Sequence, residues 1–135
     1  MSYLKFERPL MINLQESLQK EMIRTNRSGA YSCMTIVDCN TRKYHGLLVV
    51  PVPEMDDDNH VLLSSFDCSV IQHGAAFNLG LHKYQGNTFS PNGHKYIQEF
   101  DCNKIPTTTY RVGGVILKRE TVFQHYQDRI LIRYT

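Results

Sequence analysis

No segment of this 135-residue chain holds the ~20 consecutive apolar residues that a bilayer-crossing helix needs. Residues 1–15 carry Lys5, Glu7 and Arg8 without a continuous apolar run, so they do not read as a secretory signal. A cytoplasmic chain with no membrane partner is the expectation. In that compartment Cys33, Cys39, Cys68 and Cys102 stay reduced. No CxxC pair is present, which removes the common structural-zinc spacing and leaves small buried or half-buried thiols. The P-loop, the dinucleotide fingerprint and the G-x-S-x-G elbow are all missing. A basic stripe is missing too. Lys and Arg are scattered, Arg42-Lys43 and Lys118-Arg119 are the only basic pairs, and the net charge is +2. Nucleic acid is therefore not an expected partner. A neutral partner such as a sugar is compatible with this balance.

What is present is a composition that folds: 41% hydrophobic and 21% charged residues, in a length that suits one domain over 1–135. Leu14, Leu18 and Met22 fall four apart, as on one face of a short N-terminal helix, although the same segment also reads as a strand running into Thr25. Asn26-Arg27-Ser28-Gly29 signals a turn. From Ala30 the pattern is β. Strands are predicted at Cys33–Val37, Tyr44–Val52, Val61–Leu63, Phe66–Ile71, Ala76–Leu81, Tyr96–Phe100, Thr107–Val112, Val115–Leu117, Val122-Phe123 and Ile130–Ile132. The Leu47–Val50 run is apolar on both faces and predicts a central strand, ended by Pro51 and Pro53. Gly113-Gly114 predicts a tight hairpin. Many short strands with frequent turns predict a mainly β fold, an antiparallel β-sandwich. The last residues, Ile130–Thr135, lie inside an apparent strand. That predicts an incomplete sandwich with an open strand edge through which copies could self-associate.

Chemistry is sparse. Thirteen acids are present, but no spacing marks the carboxylate pair of a glycosidase. Asp56-Asp57-Asp58 lacks the Gly and distant Glu of a calcium loop and reads as a solvated hairpin loop. His45, His60, His73, His82, His94 and His125 form no HxH or HxxxH pair, which leaves only a cupin-type metal site assembled from separate strands. No cofactor is implied. The run Asn40–Leu48 stands apart, because it gathers Thr41, Arg42, Tyr44 and His45 at the start of the most apolar strand. Arg offers a planar fork of donors and Tyr a ring face with a hydroxyl, the mixture that sugars require. The competing reading is that Arg42 and His45 tie a loop to a neighbouring strand.

N-T-R-K-Y-H-G-L-L-V at 40–49 resembles the T-R-x-Y-H-G-L-L-V motif of the N-terminal domain of bacterial and archaeal glycogen debranching enzymes. S-L-Q-K-E-M-I-R-T-N-R-S-G-A-Y, from Ser17 to Tyr31, is similar to that family's E-W-L-x-T-N-G-x-G-G-Y opening, with Met22 in place of its Trp and Ala30 in place of its second Gly. Val61–Ser64, Asn92–Ile97 with Phe100, and Ile116–Glu120 resemble further family segments in the same order, so the likeness spans roughly 14–135. It implies a β-sandwich that leads into an (α/α)6-barrel carrying the amylo-α-1,6-glucosidase activity, a barrel this chain lacks. It also implies that the family domain has further strands. The expected role is non-catalytic: Thr41, Arg42, Tyr44 and His45 face glycogen or a related α-glucan, or the C-terminal catalytic barrel. The alternatives are a purely structural domain packed on that barrel, or a cupin-like metal enzyme.

Overall fold

The computed structural model describes residues 4–135. After β1 (Lys5–Glu7), two single-turn helices follow, α1 (Arg8–Met11) and α2 (Leu14–Ser17). Pro9 fits the first turn of α1, where its missing N–H costs nothing. The Asn13 side chain caps α2 by accepting from the Gln15 N–H at 3.2 Å. Next come β2 (Glu21–Thr25), β3 (Tyr31–Thr35), β4 (Gly46–Pro51) and β5 (Asn59–Leu63), which form a four-stranded antiparallel sheet in that order. β6 (Ser69–Gln72) pairs with β7 (Ala75–Asn78), and β8 (His82–Tyr84) with β9 (Thr88–Ser90), as separate hairpins. β10 (Ile97–Cys102), β11 (Pro106–Val112), β12 (Val115–Phe123) and β13 (Ile130–Tyr134) then build a five-stranded antiparallel sheet, with β1 added on the outer side of β10.

The two larger sheets face each other. Met22, Met34 and Leu47 from one sheet, and Phe100, Thr108 and Arg119 from the other, line the same narrow interior space. The main core gathers Met11, Ile36, Leu79, Leu81, Ile97, Phe100, Tyr110 and Val112. Each such side chain contributes about 2 kcal/mol by leaving water. Arg119 Nη2 donates to Asp38 Oδ2, an ion pair that ties β12 to the turn after β3.

The mainly β architecture, the antiparallel pairing and the helix at Leu14 follow the sequence pattern, whereas β1, β8 and β9 carry no strand signal in it. So does the position of β4, which lies between β3 and β5 with Leu47, Val49 and Val50 buried. Gly113 and Gly114 join β11 to β12 with φ of 53° and 87°, the two left-handed positions of a type I′ turn. All four cysteines are free thiols, two buried and two half-buried. Four details differ. At Met22 the helical spacing gives way to the strand alternative running into Thr25, because Met22 pairs with Met34 in β2 and packs on the core. Tyr44 lies outside β4, since its φ of 77° cannot continue a strand. Phe66 precedes β6 and is exposed. The segments at 115–117 and 122–123 are one continuous strand, β12. Among the described residues, no helix is long and apolar enough to cross a membrane.

Candidate functional site

The loop from Ile36 to His45 connects β3 to β4, and its far end is fastened to the first residue of β2. The register Glu21↔Thr35 sets the Glu21 carboxylate beside the start of this loop, and Cys33↔Gly46 brings His45 in next to it. Arg42 grips the carboxylate as a fork: Nε donates to Glu21 Oε1 at 2.7 Å and Nη2 to Oε2 at 2.5 Å. The His45 side chain is 0% exposed. Its Nδ1 accepts from the Thr41 backbone N–H at 2.9 Å, which leaves the ring proton on Nε2, and Nε2 donates to Glu21 Oε1 at 2.8 Å. Asn40 Nδ2 anchors the same loop on the Ser64 carbonyl at 2.7 Å.

The electrostatics follow from this geometry. The Arg42 guanidinium holds the Glu21 carboxyl down at about 2, against partial burial, and the His45 hydrogen bond adds to the effect. The Arg42 guanidinium is in turn held more firmly charged by Glu21. A depressed carboxylate stabilises the fold above its unfolded value of about 4.5 and loses that contribution as pH falls towards 2. Glu21→Gln should therefore cost about 1–2 kcal/mol near neutrality, allowing for solvent screening of this partly exposed pair. Urea melts of the two proteins should converge between pH 4.5 and 2. A gap that stays constant over this range would show that the charge on Glu21 contributes nothing.

Tyr44 sits at the tip. Its φ of 77° is a left-handed conformation that a bulky side chain rarely adopts, and the residue is 58% exposed. The Tyr31 hydroxyl donates to the Tyr44 carbonyl at 3.2 Å, and Lys43 Nζ lies 5.1 Å from the centre of the Tyr44 ring. Of the four residues picked from sequence, Tyr44 presents its ring to solvent. Arg42 is exposed, with Nε and Nη2 committed to Glu21, while Thr41 is half-buried and gives its backbone N–H to His45. Both nitrogens of the enclosed His45 ring are used. The residue that organises the site, Glu21, is one that sequence spacing misses, because only the β2–β3 register brings it within reach.

Glu21, Cys33 and His45 also place three potential metal donors within 4.8 Å of one another. Their chemistry does not suit a metal. The His45 nitrogen that faces the cluster carries the proton, since the other accepts from a backbone N–H, whereas metal-bound imidazoles have the reverse arrangement. The Arg42 cation already occupies both carboxylate oxygens. The remaining histidines do not converge: His60 pairs with Asp56 and His82 with Asp67. Among the described residues no other group of three such donors comes together.

Two facing antiparallel sheets, with a clamped loop displayed at one end, define a β-sandwich domain. The chain belongs to the glycogen debranching enzyme N-terminal family, whose model matches residues 20–135 and so takes in Glu21 and the whole 36–45 loop. No curated protein and no solved structure matches it.

Proposed function

We propose that this domain is a non-catalytic part of a glycogen debranching enzyme, and that it helps to hold α-glucan for a separate catalytic barrel that hydrolyses the α-1,6 branch points. The observation that carries this reading is the strained, exposed Tyr44 on a loop fixed by Glu21, Arg42 and His45. A backbone held in a sparsely populated conformation by its surroundings is a mark of functional loops. A loop fixed before binding loses little entropy on contact. The flat face of the Tyr44 ring suits the apolar face of a glucose unit, and the Lys43 amino group beside it suits the hydroxyls. In this reading Thr41, Arg42 and His45 position the loop and Tyr44 touches the sugar. No catalytic residue or cofactor is assigned to the chain.

Affinity electrophoresis in glycogen tests it. The native chain should be retarded, and Tyr44→Ala should bind about 5–10-fold more weakly. The melting temperature should be little changed, because the ring is exposed. If the native chain runs unretarded, or if Tyr44→Ala is retarded equally, the loop does not bind glucan. Packing of the domain on the barrel would then be the better account of the same exposed ring.

A further inference from the structure

Towards the Thr25 end of β2, away from Glu21, the two sheets flank a groove of about 480 Å³, a size that ordinary ligand sites share. Its basic lining is Arg24, Arg27, Lys104 and His125, and no acidic residue lines it. Its apolar lining includes Ile23, Pro106, Val122 and Phe123. Ile23 is 60% exposed and Val122 38%, high values for aliphatic side chains on strands. In a chain whose net charge is only +2, this is a local concentration of positive charge over an apolar floor.

The backbone gives a second, independent observation. Among the described residues, β2 is the outermost strand of its sheet and pairs with β3 alone. β12 pairs with β11 only as far as Thr107↔Glu120, so Thr121, Val122 and Phe123 pair solely with Ile132, Leu131 and Ile130 of β13. The groove is thus lined by two stretches of strand, 23–25 and 121–123, that each have one unpaired flank. Unpaired flanks template the addition of another extended chain. Arg24 is already held, donating from Nη2 to Cys102 Sγ at 2.5 Å and to the Lys104 carbonyl at 3.5 Å. Neither Arg27 nor Lys104 has an acidic partner among the described residues.

We infer that this groove docks an extended, acidic peptide segment of a partner protein as an added strand along β2, its apolar side chains on Ile23 and Val122 and its carboxylates towards Arg27 and Lys104. A neutral glucan would leave those cations unpaired, and a small oxyanion would leave Ile23 and Val122 uncovered. The alternative role for the cations is to repel incoming strands and keep the edge monomeric.

The test uses the 135-residue chain and fluorescein-labelled decapeptides of alternating valine and glutamate, or of valine and lysine. Fluorescence anisotropy should show the glutamate peptide binding at low salt with a dissociation constant on the order of 100 µM. The lysine peptide should not bind. Arg27→Glu/Lys104→Glu should weaken the glutamate peptide at least about tenfold, with Lys104→Glu alone intermediate and unchanged melting curves. The inference fails if the glutamate peptide does not bind, if charge reversal leaves its affinity intact, or if 10 mM inorganic phosphate displaces it fully. The last outcome would mark a simple anion site.

Discussion

Asn26→Leu should remove about 3–5 kcal/mol of stability, enough to unfold much of the population of a marginally stable domain. Asn26 is 0% exposed, yet its side chain makes four hydrogen bonds. Oδ1 accepts from the backbone N–H of Ser28 at 2.9 Å and of Ala30 at 3.1 Å, which shapes the β2–β3 turn. Nδ2 donates to the Gln127 carbonyl at 3.0 Å and to Asp128 Oδ1 at 3.1 Å, which reaches the β12–β13 turn. The Asn26 carbonyl also accepts from the Tyr126 N–H. One amide therefore fastens a turn of the four-stranded sheet to a turn of the five-stranded sheet. Leucine has the same heavy-atom branching but no polar atoms, so the buried Ala30 N–H loses its partner at about 1–3 kcal/mol, and the Ser28, Gln127 and Asp128 groups, nearer to solvent, lose theirs at a smaller cost each. Equilibrium urea unfolding measures this directly. A loss below about 1 kcal/mol would mean that solvent reaches these groups and that the two turns are not coupled through this residue.

Gly93→Ala should be comparably severe, at about 3–5 kcal/mol, for a different reason. A Cβ at this position would lie 2.1 Å from the carbonyl carbon and oxygen of Leu79 and 2.6 Å from the Gly80 oxygen. Those are backbone atoms, so no rotamer change relieves the overlap. The same approach is used by the Gly93 N–H, which donates to the Gly80 carbonyl at 2.9 Å and pins the turn before β10 on the chain after β7. Gly74 is a control, because a Cβ there meets nothing within 4 Å and only its φ of 79° resists substitution. Gly74→Ala should cost about 1 kcal/mol, and thermal melts of the two variants should be well separated. Equal melting temperatures would show that the 93–96 turn can lift off its seat without cost.

The β architecture is legible in the sequence wherever local chemistry dictates it. Gly113-Gly114 marks its hairpin, and the unbroken Leu47–Val50 run marks a strand covered on both sides. Legibility fails where a distant partner decides. Leu14, Leu18 and Met22 have helical spacing, yet Met22 pairs with Met34 in a strand. Tyr44 continues the apolar pattern of β4, yet it turns away in a left-handed conformation because His45 and Arg42 are pulled onto Glu21. Sequence finds the loop residues of the site because they are consecutive. The family opening marks Glu21, but sequence cannot join it to the loop, because it lies 21 residues from Arg42 and 24 from His45 and meets them only through strand register. The basic groove is invisible for the same reason, since Arg27, Lys104 and His125 are scattered along the chain and gathered by the fold.

The pairing of β1 with β10 stands apart from every other ladder. All remaining neighbours within the sheets are consecutive strands, so each can zip onto its predecessor as a meander with little loop to close. β1 must instead wait until Asp101, Phe100 and Glu99 are in place to receive Lys5, Phe6 and Glu7. Contact order therefore predicts that β1 is among the last strands to find its seat, because closing so long a loop carries the largest entropic cost of any pairing in the sheet. The expected order of assembly is the two meanders first and the β1 seam last, and slower protection of the Phe6 amide than of the β11–β12 amides in pulsed hydrogen exchange would show it.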